Sequence, residues 1–517
     1  MRRMLLSTIR SRAVAVSFLA ILAGCASRGT PVPQEFGLDT IKPDAILNRI
    51  TWGASSSSFH EIKTVGADRF LAQQLHPGAD RLPQSIEAQI NNLTISQRPL
   101  DQLVIELEQR RKQLDTIASD DEKKAAQHAY QEELNRLARE AATRSLLRDT
   151  YSHNQLREQM TWFWLNHFSI HQGKHNLRAM VGDYEDHAIR PHALGKFRDL
   201  LAATVYHPAM LRNLDNEQNA VNHVNENYAR ELMELHTLGV DGGYTQKDVQ
   251  ELARILTGAG VNLDTQTPNV RPKLQSQYVR RGLFEFNPNR HDYGDKVLLG
   301  TVVRGRGLAE IDEAVDRLSR HPATARFISR KLALFFVGDD PSDALVQRMS
   351  KAFLRTDGDI AATLAELFSS PEFKQSLGRE FKDPIHYVVS AVRLSYDDKA
   401  ILTAGPMIGW LHRMGEPLYG RQTPDGFPLA SSAWVSPGQM TTRFEIGKAI
   451  GSGSAGLFKV EGLQAQDRPA FPQLANPFYY ESFQKTLGAA TRQALDQAGS
   501  PQEWNAFLLS SPEFMYR

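Results

Sequence analysis

Apolar residues recur at helical spacing through most of the chain, and the alternation typical of half-buried strands is confined to two short stretches. Arg157 to Ile170, with Trp162, Phe163, Trp164 and Phe168, reads as a core helix. Further helices are predicted over His187–Leu201, Asn225–Leu238, Thr245–Leu256, Leu308–Leu318, Ala323–Val337, Ser342–Phe353, Ile360–Phe368 and Ile385–Leu394. From Val104 to Ala142 the chain is dense in Glu, Lys, Arg, Gln, Ala and Leu, broken at Thr116-Ile117-Ala118-Ser119-Asp120-Asp121. Mixed charges around an interrupted leucine stripe (Leu103, Leu107, Leu114, Leu134, Leu137) predict a projecting, solvated helical hairpin. Gln277–Phe286 and Lys296–Val303 carry β-branched and aromatic residues, with Asn287-Pro288-Asn289 between them, and are expected to pair as one β-hairpin. Residues 402–453, rich in Gly, Pro and Ser, read as a long irregular loop or lid. The expected fold class is mainly α: a multi-helix globular body with a projecting helical hairpin and a small β-hairpin.

Two short motifs occur twice. His207-Pro208-Ala209 is echoed by His321-Pro322-Ala323, and Ser369-Ser370-Pro371-Glu372-Phe373 by Ser510-Ser511-Pro512-Glu513-Phe514. Both suit helix starts, since Pro fits the first helical position, a preceding Ser caps, and a Glu in the first turn complements the dipole.

The N-terminus alters the picture. Arg2, Arg3, Arg10 and Arg12 precede an apolar run from Ala13 to Leu22, which ends in Leu22-Ala23-Gly24-Cys25. The run is shorter than the roughly 20 residues a spanning helix needs, and small residues lead into a cysteine. Residues 1–24 therefore read as a lipoprotein signal peptide, Cys25 as the lipidation site and residues 25–45 as a tether, with folding expected from about Ile46. A diacylglycerol with an amide-linked acyl chain exceeds the two signals that stable anchoring takes. The expected address is the cell envelope, periplasm-facing, with Ala26 rather than Asp after the cysteine favouring the outer membrane.

Cys25 is the only cysteine, so lipidation leaves no thiol for a disulfide, a metal site or a nucleophile. Loss of residues 1–24, with four arginines and no acid, changes the formal net charge from +1 to −3. No basic stripe points to nucleic acid. The sequence names no cofactor.

The densest run of functional side chains is Asn225-Glu226-Asn227-Tyr228-Ala229-Arg230-Glu231-Leu232-Met233-Glu234-Leu235-His236. At about 100° per residue Asn227, Arg230, Glu231 and Glu234 share one face, and Tyr228, Leu232 and Leu235 the other. Arg230 with Glu234, and Asn227 with Glu231, are spaced to pair on an exposed helix. Two carboxylates three apart beside an Arg and an Asn also have the composition of an acid/base pair. His236 falls toward the apolar side, as a core histidine bonded to backbone. Thr245-Gln246-Lys247-Asp248 has the form of a capping box with Asp in place of Glu.

His167, His171 and His175 would align three imidazoles on one face only if the aromatic helix continued, and Gln172-Gly173-Lys174 argues against that, so no metal is assigned. His167, between Asn166 and Phe168, lies beside large aromatics that could desolvate it. His291-Asp292 in a turn-rich segment could orient a base, or form an ordinary turn. No Gly-x-Ser-x-Gly elbow, phosphate loop, dinucleotide fingerprint or His-Glu-x-x-His occurs.

The series Leu47-Asn48-Arg49-Ile50-Thr51-Trp52-Gly53-Ala54, Trp164-Leu165-Asn166-His167-Phe168, Asn225 to Leu232, and His321-Pro322-Ala323-Thr324-Ala325-Arg326-Phe327 resembles the bacterial family called domain of unknown function 1800. Gly239 to Thr245, His291-Asp292 before Leu299-Gly300, and Gly415-Glu416-Pro417-Leu418 extend the resemblance from about Ile46 to the C-terminus. Where that family commonly shows Gly-Trp-Pro, this chain has Gly426-Phe427-Pro428. The resemblance implies a large, chiefly helical, often exported domain of unestablished activity. It also strengthens Asn166, His167, Asn227, Arg230, Glu231, Glu234, His291 and Asp292 as site residues.

Two functions compete. The first is a hydrolase-like enzyme acting on a cell-envelope or extracellular polymer, with Glu231, Glu234 and His167 as catalytic groups and Asn166, Asn227, Arg230, His291 and Asp292 binding substrate. The second is a non-catalytic envelope scaffold or assembly partner using the 104–142 hairpin. In both, the membrane is reached through the lipid.

Overall fold

The computed structural model describes residues 35–397, 399–459 and 471–517. Residues 1–24, expected as a signal peptide, Cys25, and residues 26–34 of the expected tether lie outside them. Packing starts earlier than Ile46: Phe36 and Leu38 are buried, and the Asp68 carboxylate accepts from the N–H groups of Phe36, Gly37 and Leu38. The architecture is mainly α, around one hydrophobic cluster. No described helix is long and apolar enough to cross a membrane.

Helix α1 (Pro43–Ile50) opens on proline at its first turn. Its Arg49 is fully buried and donates to the main-chain oxygens of Phe336, Ser376 and Arg517, at 2.5, 2.7 and 2.6 Å. Helices α2 (Leu100–Leu114) and α3 (Asp120–Tyr151) form the expected helical hairpin, exposed at its tip and packed at its base. Leu134, Leu137, Ala141, Ala142, Leu146 and Leu147 of α3 are buried, and α3 packs on helices far along the chain; only residues 109–129 at the tip are mostly exposed. The charged, exposed tip gives the segment its solvated character, while the later turns of α3 bury their apolar residues.

The aromatic helix is α4 (Gln155–His167), nearly all buried. The helix expected over His187–Leu201 is instead a π-turn (Tyr184–Ile189), a 3₁₀ turn (Arg190–His192) and α5 (Phe197–Val205). Pro191 and Gly195 interrupt it, as breakers of the backbone ladder do. Helix α6 (Asn227–Glu234) is followed by α7 (Gln246–Ile255), whose Thr245–Asp248 capping box is present in both directions.

The two strand segments do not pair with each other. Val279–Arg281 (β2) and Phe284–Phe286 (β3) fold on themselves, with Ala259–Val261 (β1) on the other side of β3, giving the antiparallel order β1-β3-β2. Lys296–Leu298 (β4) and Thr301–Val303 (β5) form a separate hairpin. Leu299 and Gly300 between them both have positive φ, as a two-residue primed turn requires. Local turns thus outcompete the longer connection.

Helices α8 (Ala309–Ser319), α9 (Pro322–Phe336) and α10 (Pro384–Tyr396) complete the central body. His207 and His321 each accept from the N–H two residues on, of Ala209 and Ala323, so the repeated His-Pro-Ala motif is a cap. Ser370 and Ser511 likewise accept from Phe373 and Phe514. The segment 402–453 is not irregular throughout: it contains α11 (Gly405–Arg413) and α12 (Pro437–Gly451), and the stretch between them is 414–436.

Candidate functional site

Helix α4 ends at His167, because Phe168 leaves the helical region. Asn166 and His167 therefore stand at a helix terminus, facing two distant segments. The Asn166 side chain binds the main chain of Phe427 at both groups: Oδ1 accepts its N–H at 2.6 Å and Nδ2 donates to its carbonyl at 2.9 Å. Gly426 permits this approach. Its φ is +78°, and a Cβ there would lie 2.2 Å from the Asn166 carbonyl oxygen.

His167 is 1% exposed. Its Nε2–H donates to the His236 carbonyl at 3.0 Å, which leaves Nδ1 to accept from the Lys331 ammonium at 2.9 Å. Burial among Phe163, Trp164 and Phe168, then the Lys331 charge, hold the ring well below its ordinary value, so it stays neutral. Burial pushes the Lys331 amine down to about 8, against the opposing pull of Asp425. His236 is buried as expected, but neither ring nitrogen has a partner among the described residues; its carbonyl does the bonding, and burial beside Lys331 lowers the ring to about 3.

On α6, Tyr228, Ala229, Leu232 and Met233 are buried, and Glu231 and Glu234 are partly exposed. The expected pairings differ. Arg230 turns to Glu226 at 3.1 Å and to Gln246 at 3.0 Å, and Asn227 donates to the Leu214 carbonyl at 3.1 Å. Glu231 is left without a hydrogen bond or ion pair among the described residues. Burial, followed by Glu234, raises its carboxyl; Arg230 opposes this and Asp425 adds to it. Asp425 is shifted the other way: burial raises it, but hydrogen bonds from Thr423 and Arg421, the latter at 3.0 Å, hold it below the usual carboxylate range. Tyr244, after α6, is raised by burial and by Glu234.

The end of α4, the polar face of α6, Lys331 on α9 and the 421–427 loop therefore form one electrostatic group. Asn166, His167, Arg230, Glu231 and Glu234 belong to it. Asn227, at the start of α6, serves the helix end. His291 and Asp292 lie elsewhere: His291 is buried with Nδ1 against the Thr257 carbonyl at 2.7 Å and Nε2 against Glu310 at 2.9 Å, and Asp292 pairs with Arg254 at 2.7 Å. Lys296 completes the Glu310 cluster at 2.6 Å. A His-Asp dipeptide in sequence is here split between two structural ion clusters. His171 and His175 do not continue the α4 face, and His175 takes a φ of +49°. Among the described residues no group of three or more His, Cys, Asp or Glu could hold a metal ion.

Lys331 and Asp425 went unmarked in the sequence. The available signals were a lone lysine on the apolar helix after Phe327, and an acid one residue before Gly426-Phe427-Pro428.

These features define a chiefly helical protein whose polar group sits where a helix end, a charged helix and an irregular loop meet. A family model described as "Protein of unknown function (DUF1800)" matches residues 45–516, and the chain belongs to that family. No curated protein and no solved structure matches it. Its shared motifs divide by role in the structure. Arg49 and Glu416 serve the core, Glu416 accepting the Ile385 N–H at 2.9 Å, whereas Asn166 and His167 hold Phe427 and Lys331, and Glu231 on the α6 face feels Asp425.

Proposed function

We propose that this polar group is the acid/base site of a hydrolase-like enzyme acting on a cell-envelope or extracellular polymer, carried by an exported lipoprotein anchored through Cys25. The observation behind it is the opposed setting of two carboxylates: Glu231 is pushed up, in part by Asp425, and has no partner among the described residues, whereas Asp425 is held down by Thr423 and Arg421. Two carboxyl groups whose environments move them apart divide the acid and base roles of a hydrolysis. Glu231, raised from its ordinary value, is the group assigned to give a proton to the leaving oxygen. Asp425 stays ionised and takes a proton from the water that adds to the electrophilic atom. Lys331, fixed by neutral His167, supplies a positive charge beside Asp425, and Asn166 positions the loop that bears it.

The test is complementation in a strain whose deletion has a measurable phenotype. Glu231→Gln and Asp425→Asn should each abolish it at normal protein level and normal thermal midpoint. Full complementation by either would remove that residue from the chemistry.

A further inference from the structure

A cavity of about 710 Å³ lies between α3, α11 and two loop segments that are zipped together: the Gln172 N–H donates to the Tyr419 carbonyl at 2.9 Å, and Gln172 Nε2 to the Leu418 carbonyl at 3.3 Å. The volume suits a small ligand. Leu411 and Leu418 give it an apolar wall, and its charged or ionisable lining is Arg139, Arg178, His171 and His412. Among the described residues no Asp or Glu lines it.

The charge is uncompensated in detail. Arg178 reaches across α3 to two neutral acceptors, Asn135 Oδ1 at 2.6 Å and Gln131 Oε1 at 2.5 Å, and its Nε is buried without a partner. Arg139 makes no ion pair or hydrogen bond among the described residues. His171 Nδ1 is a buried atom with no partner among the described residues. The neighbouring arginines of α3 behave differently: Arg136 pairs with Glu133 at 2.7 Å, and Arg144 and Arg148 both pair with Asp186. Missing acids are therefore a property of this cavity and not of the helix. A guanidinium fork is matched in shape and charge by a planar or tetrahedral oxyanion.

We propose that this cavity binds an oxyanion, phosphate or carboxylate, carried on an apolar body that rests on Leu411 and Leu418. It involves neither Glu231 nor Asp425 and stands whether or not the polar group is hydrolytic. Arg139 and Arg178 hold the anion, His171 and His412 flank it, and the phosphate or carboxylate source is distinguished by the probe that binds.

The test is calorimetric titration of the full chain with phenyl phosphate, phenylacetate and, as the neutral control, benzyl alcohol. At least one anion should bind saturably and at least tenfold more tightly than benzyl alcohol. Arg139→Gln and Arg178→Gln should each weaken it tenfold or more. Arg139 is exposed and holds no partner, so Arg139→Gln keeps the wild-type thermal midpoint and remains decisive if Arg178→Gln fails to fold. Tighter phenyl phosphate identifies a phosphate ligand, tighter phenylacetate a carboxylate one. Absence of saturable anion binding, equal binding of benzyl alcohol, or an unchanged affinity in Arg139→Gln overturns the proposal.

Discussion

Asn166 and Phe427, 261 residues apart, are joined as if by a strand pair: one side-chain amide satisfies both the N–H and the carbonyl of the same residue. The contact fixes the loop that carries Arg421 and Asp425 to the end of α4, next to His167. An amide is suited to this, since it alone among short side chains offers a donor and an acceptor in one plane.

Removing the clamp should release the loop. Asn166→Ala gives up two partly buried hydrogen bonds, a cost of about 1–3 kcal/mol. Gly426→Ala should act in the same direction, because its Cβ would meet the Asn166 carbonyl and a positive φ disfavours alanine. Hydrogen exchange at the Phe427 amide, and proteolysis within 421–428, should both accelerate in each variant. Unchanged protection would show that the loop is held by something else.

Lys331 should titrate apart from the other lysines. Burial favours its neutral form and brings it down to about 8, whereas Asp425 raises it. Competitive acetylation across pH, read by mass spectrometry, should place its midpoint near 8 rather than at about 10.4, the ordinary lysine value. Asp425→Asn removes a charge that favours the ammonium, so the midpoint should fall further. A midpoint at the ordinary value, or a rise in the variant, contradicts the geometry described for this site.

The cluster of His291, Glu310 and Lys296 should be a stability element. Glu310 is fully buried and accepts from both side chains and from the N–H groups of Arg306 and Gly307. Glu310→Ala leaves two buried groups unpaired and should cost about 3–5 kcal/mol in urea unfolding. Burial alone would raise this carboxyl, but the hydrogen bonds from His291 and Lys296 bring it below 4.5. Its stabilisation is therefore complete above the unfolded value of 4.5 and is lost as pH falls through the lower, folded value. Glu310→Gln should flatten that acid limb; an acid limb identical to wild type would assign the loss to other carboxylates.

Local physics made much of this fold legible. Leu308–Leu318, Ala323–Val337 and Ile360–Phe368 carry a stripe and a boundary within a few residues, and the structure has Ala309–Ser319, Pro322–Phe336 and Ile360–Phe368. The Thr245–Asp248 box and the twin His-Pro-Ala caps depend only on neighbours two or three residues away. The polar face of α6 was equally legible. Its partners were not: Arg230 is spaced to pair with Glu234, and prefers Glu226 once α7 brings Gln246 alongside.

Sequence alone thus determined a mainly helical chain, its single cysteine, the ends of several helices, and a face bearing Glu231 and Glu234. Tertiary structure decided how far the base of the α2–α3 hairpin is packed into the body, that His291 and Asp292 belong to separate ion clusters, and that Lys331 and Asp425 join His167 and Glu231. The reason is range. Helical period and capping are satisfied within one turn, whereas burial and ion pairing are set by whichever distant segment arrives, as Lys331 does at His167 from 164 residues away.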